Sequence, residues 1–125
     1  MNNSSALIQV QQLSQAIESK NGNLLIIDLC SDDNYNTGHI PGAVHIRPSQ
    51  LSCGLKPAPG KLPDLHALQT LLQNIGLTHN KKVITYDDAG GSWAGRMIWT
   101  LALIGYNNTV MLNGGLNTVI RQIKF

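Results

Sequence analysis

At residues 24–28 the chain reads LLIID, a continuous apolar run that ends in a single acid. The run has the length of a strand, and it lacks the alternation of apolar and polar residues that marks a half-exposed strand. It therefore predicts a central strand of a parallel sheet that is covered on both faces. The sequence NGN at residues 21–23 breaks the pattern just before it.

The flanking segments predict strands and helices in alternation. Before the central run, residues 7–10 are β-prone and residues 10–17 place apolar residues at helical spacing. After it, strands are predicted at residues 43–46, 82–86 and 109–112, and helices at residues 64–76, 93–104 and 116–123, with Asp64 as an N-cap and Gly76 as a stop. A long surface loop is predicted at residues 48–63. This order predicts a three-layer α/β fold with a central, mainly parallel five-stranded sheet between helices.

Length and charge limit the possible classes of protein. The 125 residues fit one domain over residues 1–125 and are too few for two. The formal charge of +2 is spread without runs, so we expect no nucleic-acid-binding arm and no membrane anchor. No apolar run approaches the roughly 20 residues that span a bilayer, and no secretory signal is evident. We expect a cytoplasmic protein in which Cys30 and Cys53 are free thiols.

Two loops follow the ends of predicted parallel strands, which is where ligands collect in folds of this class. The first follows Asp28. The second, the DDAGGS loop, consists of Asp87, Asp88, Ala89, Gly90, Gly91 and Ser92. Its two glycines allow backbone amides to converge ahead of the next helix, as in an anion site. The carboxylates of Asp87 and Asp88 would repel such an anion, so we predict a loop with the shape of an anion site and the wrong charge at its entrance.

Two blocks of sequence resemble the rhodanese-like family. The first has Asp28 at a strand end and then the turn GHIPGA, whose structural residues are Gly38, His39, Pro41 and Gly42. The second runs from residue 83 through the DDAGGS loop and the AGR at residues 94–96 to the LNGGL at residues 112–116. The blocks have the family's order and spacing, and the likeness extends from about residue 7 to about residue 120. The resemblance implies a sulfurtransferase fold.

The resemblance also implies where the chemistry takes place. In rhodanese-like sulfurtransferases a cysteine at the start of the second loop accepts sulfane sulfur from a donor such as thiosulfate and holds it as a persulfide. The matching residue here is Asp87, and a carboxylate cannot form a persulfide. No residue of this chain is therefore expected to be catalytic.

Tandem rhodaneses resemble two such domains in a row, of which the first carries Asp at this position and the second is catalytic. The resemblance therefore implies that the chain is the non-catalytic N-terminal half of a thiosulfate sulfurtransferase. Its partner would be the C-terminal rhodanese domain of the same protein, whose active site it would help to shape. We expect no cofactor. Self-association of the separate half is a further expectation, since a missing partner leaves apolar surface exposed.

Two other interpretations stay open. One is a free-standing inactive module that binds a protein or a small ligand through the DDAGGS loop. The other is a sulfurtransferase that uses Cys30, which stands two positions after Asp28 where family members often carry a basic residue. Cys53 lies in the Pro-rich loop without a nearby charged residue, and we expect it to have no such role.

The helix after the DDAGGS loop carries the candidates for contact with a second domain. Trp93 is expected either to pack on that domain or to lie in the core. Arg96 is expected to form an ion pair with one of the acids at the strand ends, and its alternative role is to reach an anion. Trp99 is predicted to be a core residue.

None of the four histidines predicts a metal site. His39 lies inside the GHIPGA turn and is predicted to fix that turn by a hydrogen bond. His45 alternates with apolar residues on a strand and is predicted to be packed or at the surface. His66 and His79 stand alone in the sequence.

The same residues also bear on two classes of phosphatase. Asp28 at a strand end is typical of aspartate-based phosphatases, but those carry a second Asp two positions later, where this chain has Cys30. Cysteine phosphatases need a Cys and an Arg six positions apart, and the matching residues here are Asp87 and Trp93. We therefore predict that Asp28 accepts hydrogen bonds from turn amides.

Overall fold

A five-stranded parallel sheet organises the computed structural model, which describes residues 7–19, 22–51 and 65–117. The strand order is β1-β5-β4-β2-β3, and every neighbouring pair is parallel. The strands are β1 (Leu7–Ile8), β2 (Leu24–Asp28), β3 (Val44–His45), β4 (Lys82–Tyr86) and β5 (Thr109–Leu112), and the helices are α1 (Val10–Glu18), α2 (Asp32–Thr37), α3 (Leu65–Asn74) and α4 (Ser92–Leu103), with a 3-10 turn at Pro48–Leu51. The predicted three-layer α/β fold is confirmed.

The central strand β2 is covered on both faces, as its apolar run predicts. Ile26 belongs to a buried cluster with residues of α1, whereas Leu25 and Ile27 belong to a second cluster with residues of α3 and α4. Neighbouring residues of a strand point to opposite faces, so each apolar residue of the run has a core to fill. The helices therefore lie on both sides of the sheet.

One helix was not predicted. Residues 32–37, DDNYNT, have no apolar periodicity, yet they form α2. Its N-cap is Ser31, whose hydroxyl accepts a hydrogen bond from the Asn34 amide at 3.2 Å, and acids occupy its first turn. Capping signals of this kind would have indicated the helix without any periodicity.

Several boundaries differ from the sequence-based ones. The first strand ends at Ile8, and β3 contains only Val44 and His45. The predicted loop at residues 48–63 begins as the 3-10 turn, and the rest of it, with Cys53 and the predicted cap Asp64, lies outside the described residues. The last predicted helix begins near its expected place, but residues 118–123 also lie outside them. In the described part of the chain, none of the helices has the length and hydropathy to cross a membrane.

Candidate functional site

The DDAGGS loop follows β4 and closes around a side chain of its own. The Asp87 carboxylate accepts four backbone hydrogen bonds: Oδ1 from the amides of Ala89 (3.0 Å) and Gly91 (2.9 Å), and Oδ2 from those of Trp93 (2.9 Å) and Ala94 (2.8 Å). The residue is only 2% exposed. We call these four amides the amide cradle.

The amide cradle is assembled by the start of α4. The first amides of a helix have no partner within the helix and carry the positive end of its dipole. The N-cap residue is Gly91, whose φ of 98° favours glycine and whose missing side chain cannot cap the helix. Asp87 takes over that function from outside the helix, because it bonds the amides of Trp93 and Ala94 in the first turn.

This geometry corrects the prediction that the carboxylates of the loop oppose an anion at its entrance. The Asp87 carboxylate is itself the anion in the amide cradle, and all four of its contacts are donors. The shape of the loop was predicted, but the position of the charge was wrong. An external anion would have to displace a side chain that is covalently part of the site.

Asp88 points to the neighbouring loop. Its Oδ2 accepts hydrogen bonds from the Ser31 amide (3.0 Å) and from Asn34 Nδ2 (2.6 Å), and so joins the DDAGGS loop to the start of α2. Burial pushes the pKa of Asp88 upward, but these hydrogen bonds outweigh it and hold the pKa below its ordinary value. Asp88 is therefore a structural acceptor.

The end of β4 is also held by a glycine in the turn after β5. A Cβ on Gly115 would lie 2.7 Å from the carbonyl oxygen of Asp87, and the residue has a φ of 57°. The next amide, that of Leu116, donates to the same carbonyl at 2.9 Å. The LNGGL motif therefore fixes the backbone from which the Asp87 side chain enters the amide cradle.

Asp28 accepts hydrogen bonds from its own turn, as predicted. Its Oδ1 accepts from the Cys30 amide at 2.8 Å, and its Oδ2 accepts from the Tyr86 hydroxyl. That hydroxyl in turn accepts from the Ile40 amide at 3.1 Å, within the GHIPGA turn. Burial and the bond to Asp28 raise the pKa of Tyr86, so the hydroxyl stays protonated. This buried network joins the ends of β2 and β4 to the turn.

The GHIPGA turn is braced by a stack of three rings. Tyr35 lies between His39 and His45, with ring centroids 3.9 and 4.3 Å away. His39 Nδ1 is 3.0 Å from the Tyr35 carbonyl oxygen, and the Tyr35 hydroxyl donates to the carbonyl of Ala43. These contacts place His39 between the GHIPGA turn and α2, and its structural role stays a prediction. His45 is packed, with Nε2 2.9 Å from the Cys30 carbonyl oxygen.

Cys30 lies in the core, with no exposed surface. Burial, followed by the charge and hydrogen bond of Asp28, raises the pKa of its thiol above the ordinary value of 9.0. Sulfur transfer needs a thiolate that can reach its donor, because a neutral thiol is a poor nucleophile. The environment of Cys30 therefore argues against the hypothesis that it carries sulfur.

We expect Cys30 to resist alkylation in the folded chain. At pH 8, iodoacetamide should leave it unmodified and should modify it fully in concentrated urea, as followed by peptide mass spectrometry. Rapid modification of Cys30 in the folded chain would contradict this burial.

The raised pKa of Cys30 also predicts a pH dependence of stability. Because the folded state keeps the thiol proton to higher pH than the unfolded state, the free energy of unfolding should fall as the pH rises above about 9.

The expectations for the charged and aromatic residues of α4 are partly wrong. Arg96 forms no ion pair with any described acid, and its Nε and Nη2 are buried without a hydrogen-bond partner among the described residues. Its guanidinium carbon lies 4.5 Å from the centroid of the Trp99 ring. Trp99 is 47% exposed and so is not a core residue. Trp93 is half-buried and packs against the α3/α4 side of the core.

The fold and the site define a class of protein: a parallel α/β domain whose binding loop, after β4, gathers amides at the carboxyl edge of the sheet. The comparisons with known proteins identify the family. Residues 9–122 match the model of the rhodanese-like domain, so the chain belongs to the rhodanese-like family. The resemblance drawn from the sequence is confirmed.

Two curated relatives are thiosulfate sulfurtransferases. The chain is 44% identical to that of Pseudomonas aeruginosa over 93 residues, which cover 74% of this chain and 34% of the relative. It is 43% identical to that of Azotobacter vinelandii over 99 residues, which cover 79% of this chain and 36% of the relative. The chain therefore spans about a third of the length of these relatives.

The solved structures give the same fold. The structure of the 3-mercaptopyruvate sulfotransferase SseA from Escherichia coli matches with a TM-score of 0.81 at 27% identity, over 94% of this chain and 48% of that one. The human single-domain sulfurtransferase TSTD1 matches with a TM-score of 0.68 at 18% identity, over 97% of this chain and 100% of that one. The second likeness bears on the fold alone.

Proposed function

We propose that this chain is the non-catalytic rhodanese-like domain of a thiosulfate sulfurtransferase, which packs on a cysteine-bearing second domain and shapes its active-site cleft. One observation carries the proposal: the Asp87 carboxylate occupies the amide cradle at the position where the family implies a sulfur-bearing cysteine. The domain keeps the architecture of the site and lacks the atom that the reaction needs.

The chemistry of the cradle supports this assignment. In sulfur transfer, converging amides stabilise the negative charge of a thiolate or persulfide. Here the same amides bond a carboxylate that is 2% exposed, so they are not free to stabilise a reacting anion. Cys30 is buried on the other side of the Asp28 network and offers no substitute nucleophile.

The second domain is proposed from the relatives. The two thiosulfate sulfurtransferases are about three times as long as the segment that matches this chain, which leaves room for a further domain of similar size. Trp93 contributes one amide to the amide cradle and is half-buried, so it is placed to form part of a shared cleft. Large aromatic side chains are common anchors at such interfaces.

The proposal predicts that the chain alone transfers no sulfur. Incubated with thiosulfate and cyanide, it should form thiocyanate no faster than buffer, because the described residues place no accessible thiolate in an amide cradle. The Pseudomonas aeruginosa thiosulfate sulfurtransferase serves as the positive control in the same colorimetric assay. Turnover by this chain that is lost only on changing Cys30 or Cys53 would overturn the proposal.

A free-standing binding module is the second candidate. It is favoured by a cavity of 280 Å³ beside the DDAGGS loop, lined by Asp88, Gly90 and Met111 among others. The coding region after Phe125 separates the two candidates. A second Gly-rich loop that opens with cysteine supports the tandem enzyme, and a stop codon supports the module.

A further inference from the structure

One side of α4 carries exposed apolar residues next to an arginine. Ser92, Arg96, Trp99 and Leu103 are spaced so that they fall on the same side of the helix. Trp99 is 47% exposed and Leu103 is 52% exposed, and Ile104 at the end of the helix is 45% exposed. A helix of an isolated α/β domain normally turns polar residues to this side, because its apolar stripe is needed for the core. We call the side formed by Arg96, Trp99 and Leu103 the α4 stripe.

Arg96, in the α4 stripe, has buried hydrogen-bond donors that lack an acceptor among the described residues. Its Nε and Nη2 atoms are buried, and neither has a hydrogen-bond partner among the described residues. Buried donors are nearly always bonded, and a charged one without an acceptor is costly for the folded state. The ring of Trp99 covers one face of the guanidinium at 4.5 Å, but a ring face does not replace an acceptor in the guanidinium plane.

The missing acceptor has a definite chemistry. A guanidinium presents its donors in a rigid fork that matches the two oxygens of a carboxylate. The acids at the carboxyl edge of the sheet are occupied elsewhere: Asp28, Asp87 and Asp88 each accept bonds from amides or from other side chains. A carboxylate from outside the described part of the chain would supply the acceptor that these three acids do not.

We infer that the α4 stripe is a docking surface for a second rhodanese-like domain, which places a carboxylate on the Arg96 guanidinium. The inference rests on the proposed function and assigns the interface to particular residues. The Trp99 ring lies over one face of the guanidinium and is 47% exposed, so docking requires this side chain to turn away and open the guanidinium to the partner. Trp99 and Leu103 then bury their apolar surface against the same domain.

The charge of Arg96 and the length of the relatives both favour a second domain as the partner of the α4 stripe. A carboxylate complements the unpaired cation of Arg96, whereas a purely apolar partner would leave its donors orphaned. The two thiosulfate sulfurtransferases have about twice as much chain outside the matched segment as within it. Arg96 lies two residues after Ala94, the last residue of the amide cradle, so a domain docked on it also reaches the proposed cleft.

The test compares one variant in two settings, with Lys82→Gln as a control that removes an exposed positive charge at the opposite end of β4. In the chain alone, Arg96→Met should leave the melting temperature unchanged or higher, because it removes an unpaired buried cation and keeps the volume. The second setting is a chimera in which this chain replaces the matching segment of the Pseudomonas aeruginosa thiosulfate sulfurtransferase. There, Arg96→Met should lower the melting temperature by roughly 3 °C or more. Lys82→Gln should leave the melting temperature unchanged both in the chain alone and in the chimera.

The outcomes separate the inference from the proposed function. Loss of stability by Arg96→Met in the chain alone would show an internal partner and overturn the inference. A chimera that melts in one transition insensitive to Arg96→Met would also overturn it, while leaving the packing of two domains intact. A chimera whose parts melt independently contradicts the proposed packing itself. Dimerisation of the chain alone that Trp99→Gln abolishes would assign the α4 stripe to a second copy instead.

Discussion

The variant Asp87→Cys is expected to take up one sulfur atom from thiosulfate, where the parent chain takes up none. The amide cradle is already assembled, and its four amides would face a thiolate in place of the carboxylate. Amides at a helix N-terminus lower the pKa of a cysteine and so raise the thiolate fraction. Attack on the outer sulfur forms the persulfide bond, breaks the sulfur–sulfur bond of thiosulfate and releases sulfite. Intact-mass spectrometry measures the product.

A neighbouring cysteine gives the matched control. Asp88→Cys places a thiol in the same loop, but Asp88 is exposed and bonds Ser31 and Asn34 instead of the cradle. We expect this variant to load sulfur at no more than background level. Equal loading of the two variants would show that the amide cradle does not matter for the reaction, and no loading of a folded Asp87→Cys variant would show that it is not a sulfur site.

Replacing Asp87 with alanine is expected to cause the largest loss of stability in this part of the molecule. It leaves four amides without their acceptor, two of them in the first turn of α4. Each unsatisfied buried donor costs about 1–3 kcal/mol, and water entering the cradle recovers part of this, so a net loss of about 3 kcal/mol is expected. Urea unfolding followed by circular dichroism measures it.

Two controls accompany this variant. Asp33→Ala removes an exposed aspartate from α2 and should change stability by less than about 1 kcal/mol. Adding sulfate should stabilise Asp87→Ala more than the parent chain, because the emptied cradle can then bind an external anion. A loss below 1 kcal/mol without any sulfate effect would mean that the cradle is not assembled around the carboxylate.

The centre of the sheet could be predicted because its strands are rich in apolar and β-branched residues. The LLIID sequence and the run at residues 82–86 form β2 and β4, which pair along their whole length. The helix α2 was missed because it rests on the Ser31 cap and on acids in its first turn, with no buried residue to set a period. Local capping and not packing determines it, so hydropathy alone does not find it.

The site was predictable in its position but not in its internal bonding. Strand ends and paired glycines locate the DDAGGS loop, yet the sequence does not say whether Asp87 faces outward or turns back onto the amides of its own helix. The Gly115 contact with the Asp87 carbonyl also joins residues far apart in the chain. The prediction that Trp99 lies in the core was wrong. The helix α4 has apolar residues on two sides, and the sequence alone does not show which side faces the sheet.

A crystal structure of the chain soaked in thiosulfate would show directly which group occupies the amide cradle. We expect density for the Asp87 carboxylate on the amides of Ala89, Gly91, Trp93 and Ala94, and no sulfur bonded to any cysteine. A carboxylate turned out to solvent, with a sulfur-bearing anion seated on those amides or a persulfide on Cys30, would contradict this expectation.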